Sequence, residues 1–567
     1  MIKIGQWRSL LRLEPFLKEN RLTLAAGIAC VLLCSLLAAP IPYITGILLD
    51  KVLMGNRSYS HLCIYVGTMA GLYVLQHFIS LISGSLFVKI SNSVVNELKY
   101  SVMSKVLDLP LSFLSTTEKG YVQERISECS SVGNAFSPVI ISMLLSVINA
   151  ISAIIIMLTI NSKMTLIVLL LTPVFYFFSK SSDKKFMKHM QNMMESAAVL
   201  GGETFEIING IEDIKVLGCK GTHLSKFKAK MNELVYHNVK QNKSLITLTQ
   251  NISLINNAFT ILILLISGIL ILKGQFTIGL YTSFSLYVTR VTASTQSLTT
   301  LGTILKPVCL SIKRIYELLD MQDENSGRDI KLDSPIGRLE FRRVGFRYRN
   351  DLPEVLNRID FTLKRGDKVL FQGENGSGKT TVIKLLLGLY SPTSGFIDIN
   401  GSDASRINRD SLRQRMGIVS QSIFLFRGTV LDNILQGQEG QERETVESLI
   451  CELGLQDYIG RMAKGLDTVI FQNSSGVSGG QAQIIAFIRA MLSQRDLLIL
   501  DEPIANVDEE TRNLIINILR KINYAGILIV ISHQTEGMDF FEKVIRISKA
   551  RTENSKTEPN SPPSEGQ

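Results

Sequence analysis

Lys368 to Leu389 reads KVLFQGENGSGKTTVIKLLLGL. It opens as a short apolar strand, passes through a glycine-rich loop, and closes as an apolar helix. The loop, Gly373-Glu374-Asn375-Gly376-Ser377-Gly378-Lys379-Thr380, fits GxxxxGK[ST], with Thr381 directly behind it. Its glycines let the backbone curl until several N–H groups face one point. Lys379 adds a positive charge, and Thr380 offers a hydroxyl to Mg²⁺. Strand, loop and helix in that order make a cradle for the phosphates of ATP a better reading than a helix-capping turn.

The surroundings agree. From about Arg338 short apolar strands alternate with helical stretches: KVLF at Lys368, FIDIN at Phe396, GIVS at Gly417, DLLIL at Asp496 and GILIVIS at Gly526. This is the pattern of an α/β domain with a largely parallel sheet. DLLILDEP ends its strand in Asp501, placed to hold the metal, and Glu502, placed to orient or deprotonate a water. His533 follows the last strand, where a neutral imidazole reaches the terminal phosphate. A second turn then enters an apolar helix: SSGVSGGQAQIIAFIRA, from Ser474, sets Ser478, Gly479 and Gly480 at another helix N-terminus, again an anion cradle. One nucleotide does not need two.

Upstream the character changes. The 567-residue chain is 46% hydrophobic, and the apolar residues crowd into its first half. A helix needs roughly 20 mainly apolar residues to cross a bilayer. Leu22–Leu49, His61–Val88, Gly133–Ser162, Met164–Ser179, Ser244–Leu272 and Gly274–Leu305 supply six such stretches. The connections near 89–132 and 180–243 are polar and nearly free of proline, and read as the same helices running on beyond the membrane. Basic residues gather in the leading segment (Lys3, Arg8, Arg12, Lys18, Arg21) and between spans four and five (Lys184, Lys185, Lys188, Lys215 and others). That bias places both termini, both long connections and the ATP-binding domain in the cytoplasm of a multi-pass protein of the cell membrane.

The net charge of +10 is dispersed along segments that flank the spans, without a basic stripe, so nucleic acid is not an expected partner. Seven cysteines form no CxxC pair and no ligand spacing, so buried or membrane-facing free thiols are a better reading than a disulfide framework or a zinc site. The expected domains are a cytoplasmic segment 1–21, an α-helical six-span membrane domain 22–320, an α/β nucleotide-binding domain 336–549 and a disordered polar tail 551–567. About 20 residues precede the first span, too few for a peptidase domain there.

Five motifs in fixed order carry a resemblance: the phosphate loop, Gln421 in GIVSQSIFLF, VSGGQ ahead of DLLILDEP, ANVD at Ala505 and ISHQ at Ile531. Together they look like the ATPase of ABC transporters. With six spans ahead of one such ATPase, the chain to about Lys549 resembles an exporter-type half-transporter. LPLSFLSTTEKGYVQERIS, from Leu109, resembles that family's first intracellular loop.

The resemblance implies roles. Tyr348 would stack on adenine. Gly373 to Thr381 would hold the phosphates, and Thr380, Gln421 and Asp501 would ligate Mg²⁺ directly or through water. Glu502 and His533 would be catalytic, and Asp508 would be the loop aspartate that follows. Ser478, Gly479, Gly480 and Gln481 would cap the ATP held by a second half-transporter, identical or different, so the second cradle serves another chain's nucleotide. Val477, Ala482 and Ile484 depart from the usual signature, and the last two would cost surface pairing. FQNSSG and ANVD depart further without touching the catalytic set. Turns near Phe113 and Cys219 would couple the two domains.

The implied activity is ATP-driven export of a peptide or amphiphilic small molecule, with lipid flipping as the alternative. A sensor that binds ATP without transport is disfavoured by the intact Glu502 and His533. Arg290, inside the sixth span, would either meet an anionic group of the substrate or serve as an inter-helix partner.

Overall fold

The computed structural model describes residues 10–548, apart from 57, 117–118, 350, 439, 472–475, 506 and 534–536; within helices it leaves out the side chains of 171–185 and a few others. The expected tail 551–567 and most of FQNSSG lie outside the described residues. By its contacts the chain divides into two units, Met1–Leu107 with Lys119–Met321, and Asp108–Glu118 with Gln322–Gln567.

The first unit is helical. Its long elements are Arg21–Ala38, Tyr59–Asp108, Pro138–Ile160, Ser162–Asn209, Lys220–Leu272 and Ile278–Leu319. Tyr59–Asp108 has 50 residues. At 1.5 Å each that is about 75 Å, more than twice the hydrocarbon thickness of about 30 Å. Spans two, four and five run on into the connections as single helices, whereas Lys119–Gly133 is set off from Pro138–Ile160 by the turn Asn134–Phe136 and Ser137. The turn expected near Phe113 stands at Leu109–Pro110, with Phe113 itself inside the short helix Leu111–Thr116, and the one expected near Cys219 spans Leu217–Cys219 before Lys220. Among the described residues, Arg21–Gly55, Tyr59–Asp108, Tyr121–Ile160 and Lys220–Leu272 are long and apolar enough to cross a membrane. The other two expected spans fall in Ser162–Asn209 and in Ile278–Leu319, a helix in which Ser283, Thr289, Arg290 and Ser294 interrupt the apolar residues.

The first span, expected over Leu22–Leu49, falls within Arg21–Gly55 and has a break inside it. The helix stops at Ala38 and resumes as Ile41–Ile47, because Pro40 and Pro42 have no N–H to donate. An unbroken ladder would need Pro42 to serve the Ala38 carbonyl, and Arg290 Nη1 donates to that oxygen instead, at 2.8 Å. Tyr287 Oη donates to Ala39 O at 2.7 Å, and Ser283 Oγ to Pro42 O at 2.9 Å. Arg290 thus satisfies the carbonyl that Pro42 leaves without a donor, as the interior of a membrane requires, and Tyr287 and Ser283 add side-chain bonds to the backbone on either side of Ile41. Of the two roles open to Arg290, the inter-helix one has its partner here.

Below this break the same helices touch backbone to backbone. A Cβ on Gly46 would meet Ser283 Oγ at 1.9 Å, and one on Gly279 would meet Gly46 O at 2.2 Å. Asp50 closes the contact by accepting from Gly279 N at 2.8 Å and from the Thr277 hydroxyl, at the N-terminus of Ile278–Leu319. Small residues permit such an approach in membrane helices, and a carboxylate suits a helix N-terminus.

In the second unit β1 (Arg338–Phe346), β2 (Leu356–Lys364), β4 (Ser394–Ile399) and β5 (Ser402–Asp403) form an antiparallel sheet ordered β2-β1-β4-β5. β3 (Lys368–Gln372), β6 (Met416–Val419), β9 (Leu497–Asp501), β10 (Ile527–Ile531) and β11 (Lys543–Arg546) form a parallel sheet ordered β11-β3-β10-β9-β6. Between them in sequence, β7 (Gly428–Thr429) and β8 (Val469–Ile470) pair as a small ribbon. FIDIN therefore does not join the parallel sheet as expected. Asn400 and Gly401, both at positive φ, turn β4 straight back into β5, and β4 pairs antiparallel with β1, whose charges alternate with apolar residues.

β9 and β10 are fully buried on both faces. Leu498, Leu500, Leu528 and Val530 pack with Ile484, Ile485 and Phe487 of helix Gly479–Leu492. Leu497, Ile499, Ile527 and Ile529 pack with Val382 and Ile383 of helix Lys379–Leu386 and with Phe341 and Ile397 of the antiparallel sheet. Each such side chain contributes about 1.5–3 kcal/mol by burial. The two faces of one sheet thus fix both helices whose N-termini carry the glycine turns.

Candidate functional site

Strand register assembles the site. Ile531 lies opposite both Phe371 and Asp501, and Val419 lies opposite Leu500. Gly373, Gln421, Glu502 and His533 accordingly all stand one or two residues beyond a strand end, along the carboxyl edge where parallel sheets hold ligands. Asn375–Thr381, Val355, Gln421, Glu502 and His533 line one pocket of about 230 Å³ there.

The loop fits a polyphosphate. Gly376 and Gly378 have φ of 77° and 99°, a backbone region costly for other residues. A Cβ on Gly373 would run into Ile547 O at 2.3 Å and Ser377 Oγ at 2.6 Å. Ser377 Oγ is itself buried without a protein partner, an acceptor-donor pointed at no other group of the chain. Lys379 is 5% exposed and folds its ammonium back onto Gly373 O (2.8 Å) and Glu374 O (2.9 Å). Burial lowers its pKa, with Glu502 and Asp501 pulling the other way.

Asp501 is 4% exposed at the end of β9. Burial and then the adjacent Glu502 carboxylate push its pKa up to about 6, against the pull of Lys379. Two carboxylates held this close in a poorly hydrated place suit a hard divalent cation, with the Thr380 hydroxyl on the neighbouring loop. Glu502 has φ of 54°, rare for a residue with a side chain, and its N–H is anchored on Ile531 O at 2.9 Å. Its two oxygens are both engaged: Gln421 Nε2 donates to one at 3.0 Å, and His533 Nε2 sits 2.8 Å from the other. The three residues that the sequence singled out separately form one cluster around a single carboxylate.

Ser478, Gly479, Gly480 and Gln481 are not among the residues lining this pocket. Ser478 caps helix Gly479–Leu492, accepting from Gln481 N at 3.2 Å while the Gln481 side chain accepts from Ser478 N at 2.9 Å. Ser478 and Gly479 are exposed and Gly480 is buried. Asp508 caps Glu509–Lys521 through Thr511 N and Oγ1, at 2.8 and 2.9 Å, which holds its carboxyl below the usual range. A Cβ on Gly480 would meet the Asp508 carboxylate at 3.0 Å, so this aspartate adjoins the signature turn. Ala482 and Ile484 are core residues, 7% and 0% exposed. The expected loss of surface pairing does not apply, because these positions face the sheet.

Tyr348 stands outside the pocket lining, its hydroxyl 3.1 Å from Thr381 Oγ1 and its ring 37% exposed. Two neighbours went unnoticed in the sequence: Lys384, with Nζ 5.3 Å from the Tyr348 ring centre, and Tyr390, edge-on to that ring. Their signal was present in TTVIKLLLGLY, where Thr381 and Lys384 share one helical face with spacing three.

Residues 24–295 match the family described as ABC transporter transmembrane region, and residues 356–505 match the family described as ABC transporter. The chain belongs to the ABC transporter family. It is an ATPase-coupled transporter subunit, with membrane region and ATP-binding domain in one multi-pass membrane polypeptide. It is 27% identical to an uncharacterized ABC transporter ATP-binding protein, YfiC, of Bacillus subtilis (strain 168), over 95% of this chain and 89% of that protein. It is 26% identical to the transport/processing ATP-binding protein ComA of Streptococcus pneumoniae (strain ATCC BAA-255 / R6), over 96% of this chain and 76% of ComA. The alpha-hemolysin translocation ATP-binding protein HlyB of Proteus vulgaris is 25% identical over 90% of this chain and 72% of HlyB. A bacterial Atm1-family ABC exporter with ATP bound has the same fold, with TM-score 0.83, 20% identity and 93% of each chain covered.

Proposed function

We propose that this ABC transporter chain is half of a dimeric exporter that uses ATP to move a peptide or an amphiphilic small molecule out of the cytoplasm. One observation carries the reading: Lys379, Gln421, Asp501, Glu502 and His533 meet at one sheet edge, while Ser478 and Gly479 lie exposed away from it. A second copy placed head-to-tail supplies the missing cradle to each site. The relatives named for transport/processing and for alpha-hemolysin translocation favour a peptide over a lipid.

In the mechanism, Lys379 leaves the carbonyls of Gly373 and Glu374 to pair with phosphate oxygens, and the N–H groups of Gly376–Thr381 close around them. Tyr348 stacks on the base. Thr380, Asp501 and Gln421 would hold Mg²⁺, which would supply positive charge against the phosphates. Glu502 orients the attacking water and accepts its proton, and His533, already within reach of Glu502, steadies that carboxylate and the terminal phosphate. Ser478–Gly480 of the second copy exclude bulk water. The bias of Lys and Arg supports both termini in the cytoplasm, and the two long helical connections carry closure toward the spans. Arg290 already donates to Ala38 O, so in this reading it braces the first span and is not assigned to the substrate.

The test is ATP hydrolysis by the purified chain in lipid nanodiscs. Activity means that two copies suffice; folded protein that binds ATP and does not turn over sinks the homodimer. Mixing Lys379→Ala with Ser478→Arg chains should restore activity that neither has alone, since one composite site of the mixed pair is intact. No restoration would count against the head-to-tail arrangement.

Asp501 also sets a pH dependence. Cation binding needs the carboxylate ionised, so Mg²⁺-dependent ATP affinity should fall as pH drops from 7 through about 6. The sign for stability is opposite: a raised carboxyl pKa favours the nucleotide-free fold as pH falls. Asp501→Asn should therefore raise the nucleotide-free melting temperature by a few degrees and remove the Mg²⁺ dependence. Unchanged Mg²⁺ dependence in that variant would remove Asp501 from the metal site.

A further inference from the structure

Tyr390 ends the sequence that follows the phosphate-loop helix, and nothing in its motif assigns it a task. Its ring stands edge-on to Tyr348, with centroids 5.3 Å apart and planes at 88°, and edge-on to Phe346 at 5.6 Å and 67°. Phe346 and Tyr348 are themselves at 4.9 Å and 83°, so three rings brace one another in a closed triangle. The Tyr390 hydroxyl reaches in the other direction, to Ser115 Oγ at 3.0 Å. Ser115 belongs to the short helix Leu111–Thr116, inside Asp108–Glu118, the segment that joins helix Tyr59–Asp108 to helix Lys119–Gly133 and that groups with the ATP-binding unit.

We infer that Tyr390 is a positioning residue for the nucleotide base, and that through it the stacking of the base on Tyr348 is linked to the placement of the 111–116 helix. This rests on the proposed role of Tyr348. The physical argument has two parts. Tyr348 is held at its hydroxyl by Thr381 and at its edge by Tyr390, which leaves a ring face of fixed orientation for a base. Removing the edge contact frees the ring, and the base must then order it. The Tyr390 hydroxyl, meanwhile, has its contact on a segment covalently continuous with the 50-residue helix Tyr59–Asp108. Any shift that stacking imposes on the ring pair alters the Ser115 contact, and by linkage any change at Ser115 alters base binding by the same factor.

The experiment uses the full chain in lipid nanodiscs and two ligands, ATP and inorganic tripolyphosphate, which lacks a base. Tyr390→Leu should weaken ATP binding by about 2- to 10-fold, the worth of one or two aromatic pairs, and leave tripolyphosphate binding within about 2-fold. Tyr390→Phe keeps the rings and should lose less ATP affinity than Tyr390→Leu, only the part that the Ser115 contact contributes by linkage. Hydrogen exchange of residues 111–116 supplies the second readout. ATP should slow it in the parent, tripolyphosphate should not, and both Tyr390→Phe and Ser115→Ala should lose the effect of ATP. Equal weakening of both ligands by Tyr390→Leu would mean general disruption and overturn the base-specific role. Protection by ATP that persists in Tyr390→Phe would overturn the link to Ser115. Should Tyr390→Leu fail to fold, the Tyr390→Phe exchange measurement decides alone. All readouts report binding, so they stand even where hydrolysis fails, and they fail separately from the transport reading.

Discussion

Glu502→Gln should lower ATP turnover by about 10²- to 10⁴-fold, the range expected when a positioned general base is lost. The cluster around Glu502 explains why this change is selective. The carboxylate accepts from Gln421 at 3.0 Å and lies 2.8 Å from His533 Nε2, and an amide of the same shape retains at most one accepting oxygen. The fold has no reason to give way, since the strained φ of 54° and the bond to Ile531 O belong to the backbone. Affinity for ATP should hold or rise: removing one charge beside Asp501 relieves part of what pushes that carboxyl up to about 6, and the residues that grip phosphate are untouched. Turnover measured beside equilibrium binding checks both halves. Retention of more than about a tenth of the parent rate would transfer the base role to another residue.

Gly279→Val should cripple the membrane half in a different way. Its Cβ would come to 2.2 Å from Gly46 O and 2.4 Å from the Asp50 carboxyl carbon, against backbone and a bonded carboxylate. Neither is the free end of a flexible side chain, so the two helices must separate. Overpacking of this kind costs about 1–3 kcal/mol in side-chain cores, and contact with backbone belongs at the upper end. The separation also removes the Asp50 bond to Gly279 N at the start of Ile278–Leu319. Thermal unfolding in nanodiscs should show a lower midpoint for Gly279→Val, while Gly71→Ala, with open space around it, should leave the midpoint near that of the parent. Equal midpoints for all three proteins would mean that the Gly46–Gly279 contact does not hold the helices together.

Both arguments start from residues whose identity was plain in the chain and whose geometry was not. GENGSGKT could be read directly, because eight consecutive residues make the whole cradle and the chain's own curvature positions them. The same holds for DLLILDEP and for the Ser478 capping turn, where each function lies within a few residues of its strand or helix. The long helices were legible from hydropathy, since a stretch of apolar residues needs no partner to declare itself.

The misread elements share the opposite property. FIDIN has the composition of a buried strand, yet its place depends on which strand it pairs with, and β1 lies more than fifty residues earlier. Leu22–Leu49 reads as one span and lies in one, Arg21–Gly55, yet the break within it and the Arg290 donor that serves the Ala38 carbonyl from a helix beginning at Ile278 were not legible. Ala482 and Ile484 looked like surface positions until the sheet was packed beneath them.

By itself, then, the order of residues determined the nucleotide motifs, the division into a membrane half and an ATP-binding half, and the separation of the signature from its own phosphate loop. The tertiary structure alone decided that Glu502 is shared by Gln421 and His533, that Arg290 serves a broken helix, and that Tyr390 stands between the Tyr348 ring and Ser115. The reason is one of range. A backbone turn or an apolar helix is stabilised by neighbours in the chain, whereas a contact across tens or hundreds of residues exists only once strand register and helix packing have fixed both partners in space.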